Sequence, residues 1–124
     1  MKITGPVKVP IQFLPQTLDE LIEKKKLPFP GLLKLDVQGY ELAVLKGATK
    51  SLDHADVCLL ELSLMNLGDN SPLLLEMVQF MDTKNFQAYD ISQFMRRPFD
   101  KVLFQIDMFF VKKDSALLQS KRWN

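Results

Sequence analysis

The chain has 124 residues, 47% hydrophobic and 25% charged, with 16 basic against 15 acidic side chains and a formal charge of +1. This is ordinary globular usage, long enough for one domain burying roughly 65% of its unfolded surface, and it speaks against a second domain. Basic residues are scattered except at Lys24, Lys25, Lys26 and at Lys121, Arg122, which excludes a nucleic-acid footprint, and no run approaches the ~20 apolar residues of a bilayer span.

The first residues lack the apolar core of a signal peptide, so the chain reads as soluble and cytoplasmic, without a membrane partner. The single cysteine, Cys58, lies in an apolar run and has no partner for an intrachain disulfide, which fits a buried thiol in a reducing compartment.

In chain order, Val7, Val9, Ile11 and Phe13 alternate with Lys8, Pro10 and Gln12 at the period of a half-buried strand. Pro10 removes a ladder donor and makes it an edge strand or an extended lead-in. Thr17 with Glu20 three residues on is a capping-box pattern, opening a helix whose apolar stripe is Leu18, Leu21 and Ile22. Lys24, Lys25 and Lys26 complement the helix C-terminal dipole, and Pro28 and Pro30 stop it.

Residues 31–37 form a short, nearly continuous apolar run, the pattern of a strand covered on both faces. It delivers Asp36 to its C-terminal end, turns at Gly39 and enters a helix over residues 40–52 that begins with Glu41. Gly47 weakens that helix by about 1 kcal/mol relative to Ala, which close packing on the sheet would explain. Residues 53–56 turn, and residues 57–64 give a second buried strand in which Glu61 interrupts an apolar face. His54, the only histidine, falls in the turn, away from the end of the strand where ligands collect.

Residues 66–70 read as a loop, with Ser71 as helix cap and Pro72 at the first helical position. Leu74, Met77, Val78, Phe80 and Met81 make a helical core stripe. Residues 86–91 read as a strand, residues 92–101 as a polar connection containing Arg96 and Arg97, and residues 102–111 as the last strand. The alternation of strand and helix predicts an α/β fold with parallel pairing through helical crossovers, ending in an antiparallel pair.

The runs Thr17-Leu18-Asp19, Leu33-Lys34-Leu35-Asp36-Val37-Gln38-Gly39-Tyr40-Glu41 and Val44-Leu45-Lys46-Gly47-Ala48 resemble the C-terminal half of the FkbM-type S-adenosylmethionine-dependent methyltransferases. Glu61-Leu62-Ser63 and Gln105-Ile106-Asp107-Met108-Phe109-Phe110-Val111 resemble later blocks of that family, so the likeness runs over roughly residues 7–113. It implies a three-layer α/β/α, Rossmann-like (class I) sheet, of which residues 1–124 would form a single partial domain holding strands four to seven, the seventh inserted antiparallel between five and six. It implies S-adenosylmethionine as cofactor and a hydroxyl of a sugar or small metabolite as acceptor.

The glycine-rich cofactor loop of that family is absent: glycines stand only at 5, 31, 39, 47 and 68, with no G-x-G. The chain is therefore expected to be a truncated part, inactive alone, with an open sheet edge that invites self-association.

Methyl transfer to an alcohol is an in-line displacement that needs a positioned hydroxyl and a group to take its proton. Asp36 is the leading candidate as orienting group or general base, Glu41 the second and Glu61 the third. Each has a structural alternative: Asp36 on the turn amides, Glu41 at the positive helix N-terminus, Glu61 capping a neighbouring helix. The three could present hard oxygen donors to magnesium, yet no spacing demands a metal and none is assigned. Gln105 and Asp107, on one face of an apolar strand, read as a buried hydrogen-bond pair, and Arg96 and Arg97 as loop residues able to reach an anionic substrate or to be solvated.

Three functions fit: part of an O-methyltransferase, a non-catalytic interaction or oligomerisation module derived from a methyltransferase fold, or an unrelated α/β nucleotide-binding domain, which the lack of a phosphate loop disfavours.

Overall fold

A computed structural model describes residues 16–68 and 70–124; the expected strand over residues 7–14 lies outside them. The elements are α1 (Leu18–Lys24), β1 (Leu32–Leu35), α2 (Glu41–Lys46), α3 (Thr49–His54), β2 (Val57–Ser63), α4 (Leu74–Thr83), β3 (Phe86–Arg96) and β4 (Leu103–Lys112), followed by a 3-10 turn, Ala116–Leu118. The four strands form one mixed sheet in the order β1-β2-β4-β3. β1 and β2 are parallel, while β4 lies between β2 and β3 and runs antiparallel to both. The chain is thus a mixed α/β fold with an antiparallel final pair.

Helix α1 starts as its sequence dictates, the Thr17 hydroxyl accepting from the Glu20 amide at 3.2 Å while the Glu20 carboxylate accepts from the Thr17 amide at 3.0 Å. Leu21 and Ile22 are its buried face. Along β2 the burial alternates strictly, placing Cys58, Leu60 and Leu62 in the core and Leu59, Glu61 and Ser63 on the opposite face. The core joins these to Leu33 and Leu35 of β1, Leu45 and Leu52 of α2 and α3, Met77 and Met81 of α4, and Phe86, Ile106 and Phe110 of the hairpin. Phe86 and Phe110 are among its largest fully enclosed side chains, and truncating either to Ala costs about 3 to 5 kcal/mol. No helix is long and apolar enough to cross a membrane among the described residues.

Four sequence expectations are corrected. Strand β1 is four residues long with alternating burial, Leu32 and Lys34 being exposed, so among the described residues it is covered on one face and not on both. The helix expected over residues 40–52 is two helices that part at Gly47 and Ala48, where Gly47 lies against Thr17.

Helix α4 begins at Leu74 with Leu73 as its N-cap residue, so Ser71 is not the cap; Leu73 is itself extended and bridges in parallel to Ser63 beside the sheet. Finally, β3 runs on to Arg96, turning residues 92–96 from connection into strand. Beyond Phe86 every β3 residue is exposed, and three register shifts interrupt its pairing with β4. An outer strand held by its backbone ladder, with bulges, shows no hydrophobic period in sequence.

Candidate active site

The carboxyl ends of β1 and β2 lie side by side, since Leu35 pairs with Leu60 in parallel register. Asp36 leaves β1 at that end and enters a tight turn in which Gln38 and Gly39 have φ of 47° and 99°. A Cβ added to Gly39 would stand 2.6 Å from the Ser71 hydroxyl, so the β2–α4 loop presses on the turn where only glycine fits.

Glu41, 3% exposed, turns back under this loop: its carboxylate accepts from the Val37 amide at 3.3 Å and from the Gly39 amide at 3.0 Å. Its structural alternative is thus realised in a more specific form, because the carboxylate fastens the turn that carries Asp36.

Glu61 occupies the adjoining position on β2 and is hydrogen-bonded to the Asp36 carboxyl. Partial burial, that bond and the negative charges of Asp36, Glu41 and Asp107 push its carboxyl up to about 7. Strand register carries the polar row across the sheet. Glu61 is opposite Asp107, and Asp107 opposite Gln93; one step along, Ser63 is opposite Gln105, and Gln105 opposite Met95.

Two adjoining cavities open here. One of about 240 Å³ is lined by Lys34, Asp36, Glu61, Gln93, Gln105 and Asp107 among others, the second of about 480 Å³ by Asp36, Gln38, Glu61, Ser63, Ser71 and Gln105 among others. The larger is of small-ligand size.

The structure therefore brings together Asp36 and Glu61 and places Glu41 behind them. Gln105 and Asp107 are half-buried wall residues, where the sequence suggested a buried pair. Arg96 donates to the Lys101 carbonyl at 3.1 Å, and Arg97 grips Asp100 with two bonds, at 2.9 and 2.5 Å, so both are engaged in the β3–β4 turn. His54 ends α3, stacked on Phe29 at 4.3 Å.

No sequence pattern marks Gln38, Ser63, Ser71, Gln93 or Met95 as site residues; strand register and the contact of the two loops bring them to the cavities. Cys58 is enclosed, and burial pushes its thiol up to about 12, which makes it inert. Among the described residues no group of three or more His, Cys, Asp or Glu has the arrangement of a metal site.

A carboxyl raised to about 7, that of Glu61 beside Asp36, next to a cavity at the ends of parallel strands, can take and hold a proton. Comparison with known proteins agrees with the chemistry the sequence motifs suggest. Hexuronic acid methyltransferase AglP from Haloferax volcanii is 43% identical over 44 residues, a stretch that takes in 36% of this chain and 18% of that protein. No solved structure matches the chain. The family model of the methyltransferase FkbM domain matches residues 6–90, more than half of the sequence, and the chain belongs to that family.

Proposed function

We propose that this domain forms the acceptor side of an S-adenosylmethionine-dependent O-methyltransferase site, acting on a hydroxyl of a sugar or small metabolite, with Asp36 and Glu61 as the group that takes the proton. The observation that carries the reading is the hydrogen-bonded Asp36–Glu61 pair at the ends of β1 and β2, with Glu61 poised at about 7. A base whose pKa lies near the working pH combines a useful ionised fraction with a useful proton affinity. The archaeal relative's name, which specifies a hexuronic acid, supports a sugar acceptor.

The residues present suit the reacting end of the cofactor. The larger cavity is bordered by Asp36 and Glu61, whose negative field complements a cationic sulfonium, and no phosphate cradle is required. S-adenosylmethionine, when bound, supplies the methyl carbon that the acceptor oxygen attacks and departs as a neutral thioether. Asp36 and Glu61 accept the hydroxyl proton between them, and Glu41 keeps the Asp36 turn from drifting. Displacement of this kind demands placement within roughly 3 to 3.5 Å, which a fastened turn provides and a loose loop does not.

The order β1-β2-β4-β3, with β4 antiparallel, supports reading these as strands four to seven of a Rossmann-like sheet. The half with the glycine-rich loop then lies outside this chain, and the chain alone is inactive. A cytoplasmic setting accords with the enclosed, unpaired Cys58.

Asp36→Asn and Glu61→Gln in the longest natural form of the protein test the proposal: each should lower turnover by about 10²- to 10⁴-fold while leaving the circular dichroism spectrum intact. Near-normal turnover in both would overturn it. Micromolar binding of S-adenosylmethionine to the isolated 124 residues would overturn the assignment of the missing half.

A second reading, a non-catalytic module that associates through a sheet edge, is favoured by the outward-facing apolar residues on both outer strands, Leu32 on β1 and Ile91 and Phe94 on β3. A concentration-dependent dimer without cofactor affinity in the longest form would support it.

A further inference from the structure

We propose that the wall formed by Glu61, Asp107, Gln93 and Gln105 across β2, β4 and β3 is a subsite for an uncharged polyol, a neutral sugar presenting several hydroxyls, and that it selects against sugar acids. The inference rests on the reading of this cavity as the acceptor side.

The geometry comes from strand register. Glu61, Asp107 and Gln93 are directly opposed across three neighbouring strands, and Ser63, Gln105 and Met95 make the next row on the same face, two residues along each strand. Polar heads therefore recur every ~4.8 Å across the sheet, a spacing that the hydroxyls of one pyranose ring can bridge.

The donor and acceptor types alternate. Asp107 accepts only, whereas Gln93 and Gln105 each offer both a carbonyl and an amide. A hydroxyl, which must donate and accept, is satisfied by such a mixture. Met95, 45% exposed in the row beside Gln93, gives the C–H face of a sugar an adaptable apolar surface.

Charge narrows the class. Among the described residues lining this cavity are three carboxyls, Asp36, Glu61 and Asp107, and one cation, Lys34. A carboxylate or phosphate on the acceptor would meet like charge at short range. Asp36 and Glu61 adjoin at the ends of β1 and β2, with Asp107 opposite Glu61 on β4, so the carboxyls outnumber the cation on this wall and disfavour an anionic acceptor.

The test compares kcat/KM for methyl glycosides of a hexose and a hexuronate, using the longest natural form at fixed S-adenosylmethionine. The hexoside should exceed the hexuronide by about tenfold or more, and Gln93→Leu, on the exposed outer strand, should raise its KM by about tenfold with little change in kcat. An equal or higher kcat/KM for the hexuronide, or an unchanged KM in Gln93→Leu, overturns the neutral-polyol assignment and leaves the methyltransferase reading standing. Absence of transfer to both, with S-adenosylmethionine bound, overturns the acceptor-side reading and this inference with it.

Discussion

Gly47 packs directly on Thr17: a Cβ at position 47 would stand 2.7 Å from Thr17 Cγ2 and 2.8 Å from Thr17 Cβ. Thr17 cannot easily retreat, because its hydroxyl and amide are both committed to the capping box of α1. Gly47→Ala would ordinarily be neutral or favourable at its φ of −93°, but here the overlap should cost about 1 to 3 kcal/mol. Urea unfolding of the variant checks this; an unchanged midpoint would show that α1 and α2 slide apart freely.

Asp19 ties the same two segments from the other side. Its carboxylate accepts from the Lys50 amide at 2.7 Å, the Ser51 amide at 3.0 Å and the Ser51 hydroxyl at 2.7 Å, so a residue of α1 caps α3. Ser51 is fully buried. Asp19→Ala should therefore cost about 1 to 3 kcal/mol, from a lost cap and a stranded hydroxyl, and Ser51→Ala clearly less, since it removes a hydroxyl while the capping carboxylate stays. Equal losses in thermal denaturation would show that the cap carries nothing.

These two contacts explain why the motif blocks were legible and their roles were not. Thr17-Leu18-Asp19 and Lys46-Gly47-Ala48 are legible in sequence as parts of the family resemblance, yet they form a clasp between helices, which no periodicity could announce because the partners are about thirty residues apart. The strands around Leu33, Leu60 and Ile106 were readable, since burial on one side imposes a pattern. The outer half of β3 was not, because its residues after Phe86 face solvent and its bulges break the period. At the site, Asp36 and Glu61 could be named from their places at strand ends. Their bond to each other, and the row that extends to Asp107 and Gln93, depend on the insertion of β4 between β2 and β3.

Glu41 separates a structural carboxylate from a chemical one. Because it satisfies two turn amides while 3% exposed, Glu41→Ala should destabilise by about 1 to 3 kcal/mol and lower turnover as the Asp36 turn loosens. Asp36 is exposed, so Asp36→Asn should lower turnover with little loss of stability. Melting curves and initial rates on both variants distinguish the roles; the pattern reversed would exchange them.

The pH dependence of Glu61 gives the sharpest check. Its carboxyl rises from 4.5 in the unfolded chain to about 7 in the fold, first through burial, then through the bond to Asp36, and last through neighbouring charge, Asp107 contributing least. Between those values the folded chain holds the extra proton, so this group's contribution to stability is fully present below the unfolded value and is lost as pH rises through the folded one.

Denaturant titrations at about pH 5 and about pH 8 should accordingly show a fall in stability for the natural sequence that Glu61→Gln lacks. In catalysis the sign is opposite, because the proton acceptor must be ionised, so kcat/KM should climb through about 7. Asp107→Asn should move that limb slightly downward by removing one like charge. Asp36→Asn should move it further, since its amide would donate to the Glu61 carboxylate and favour the ionised form. A limb unmoved by both substitutions would take Glu61 out of the proton path.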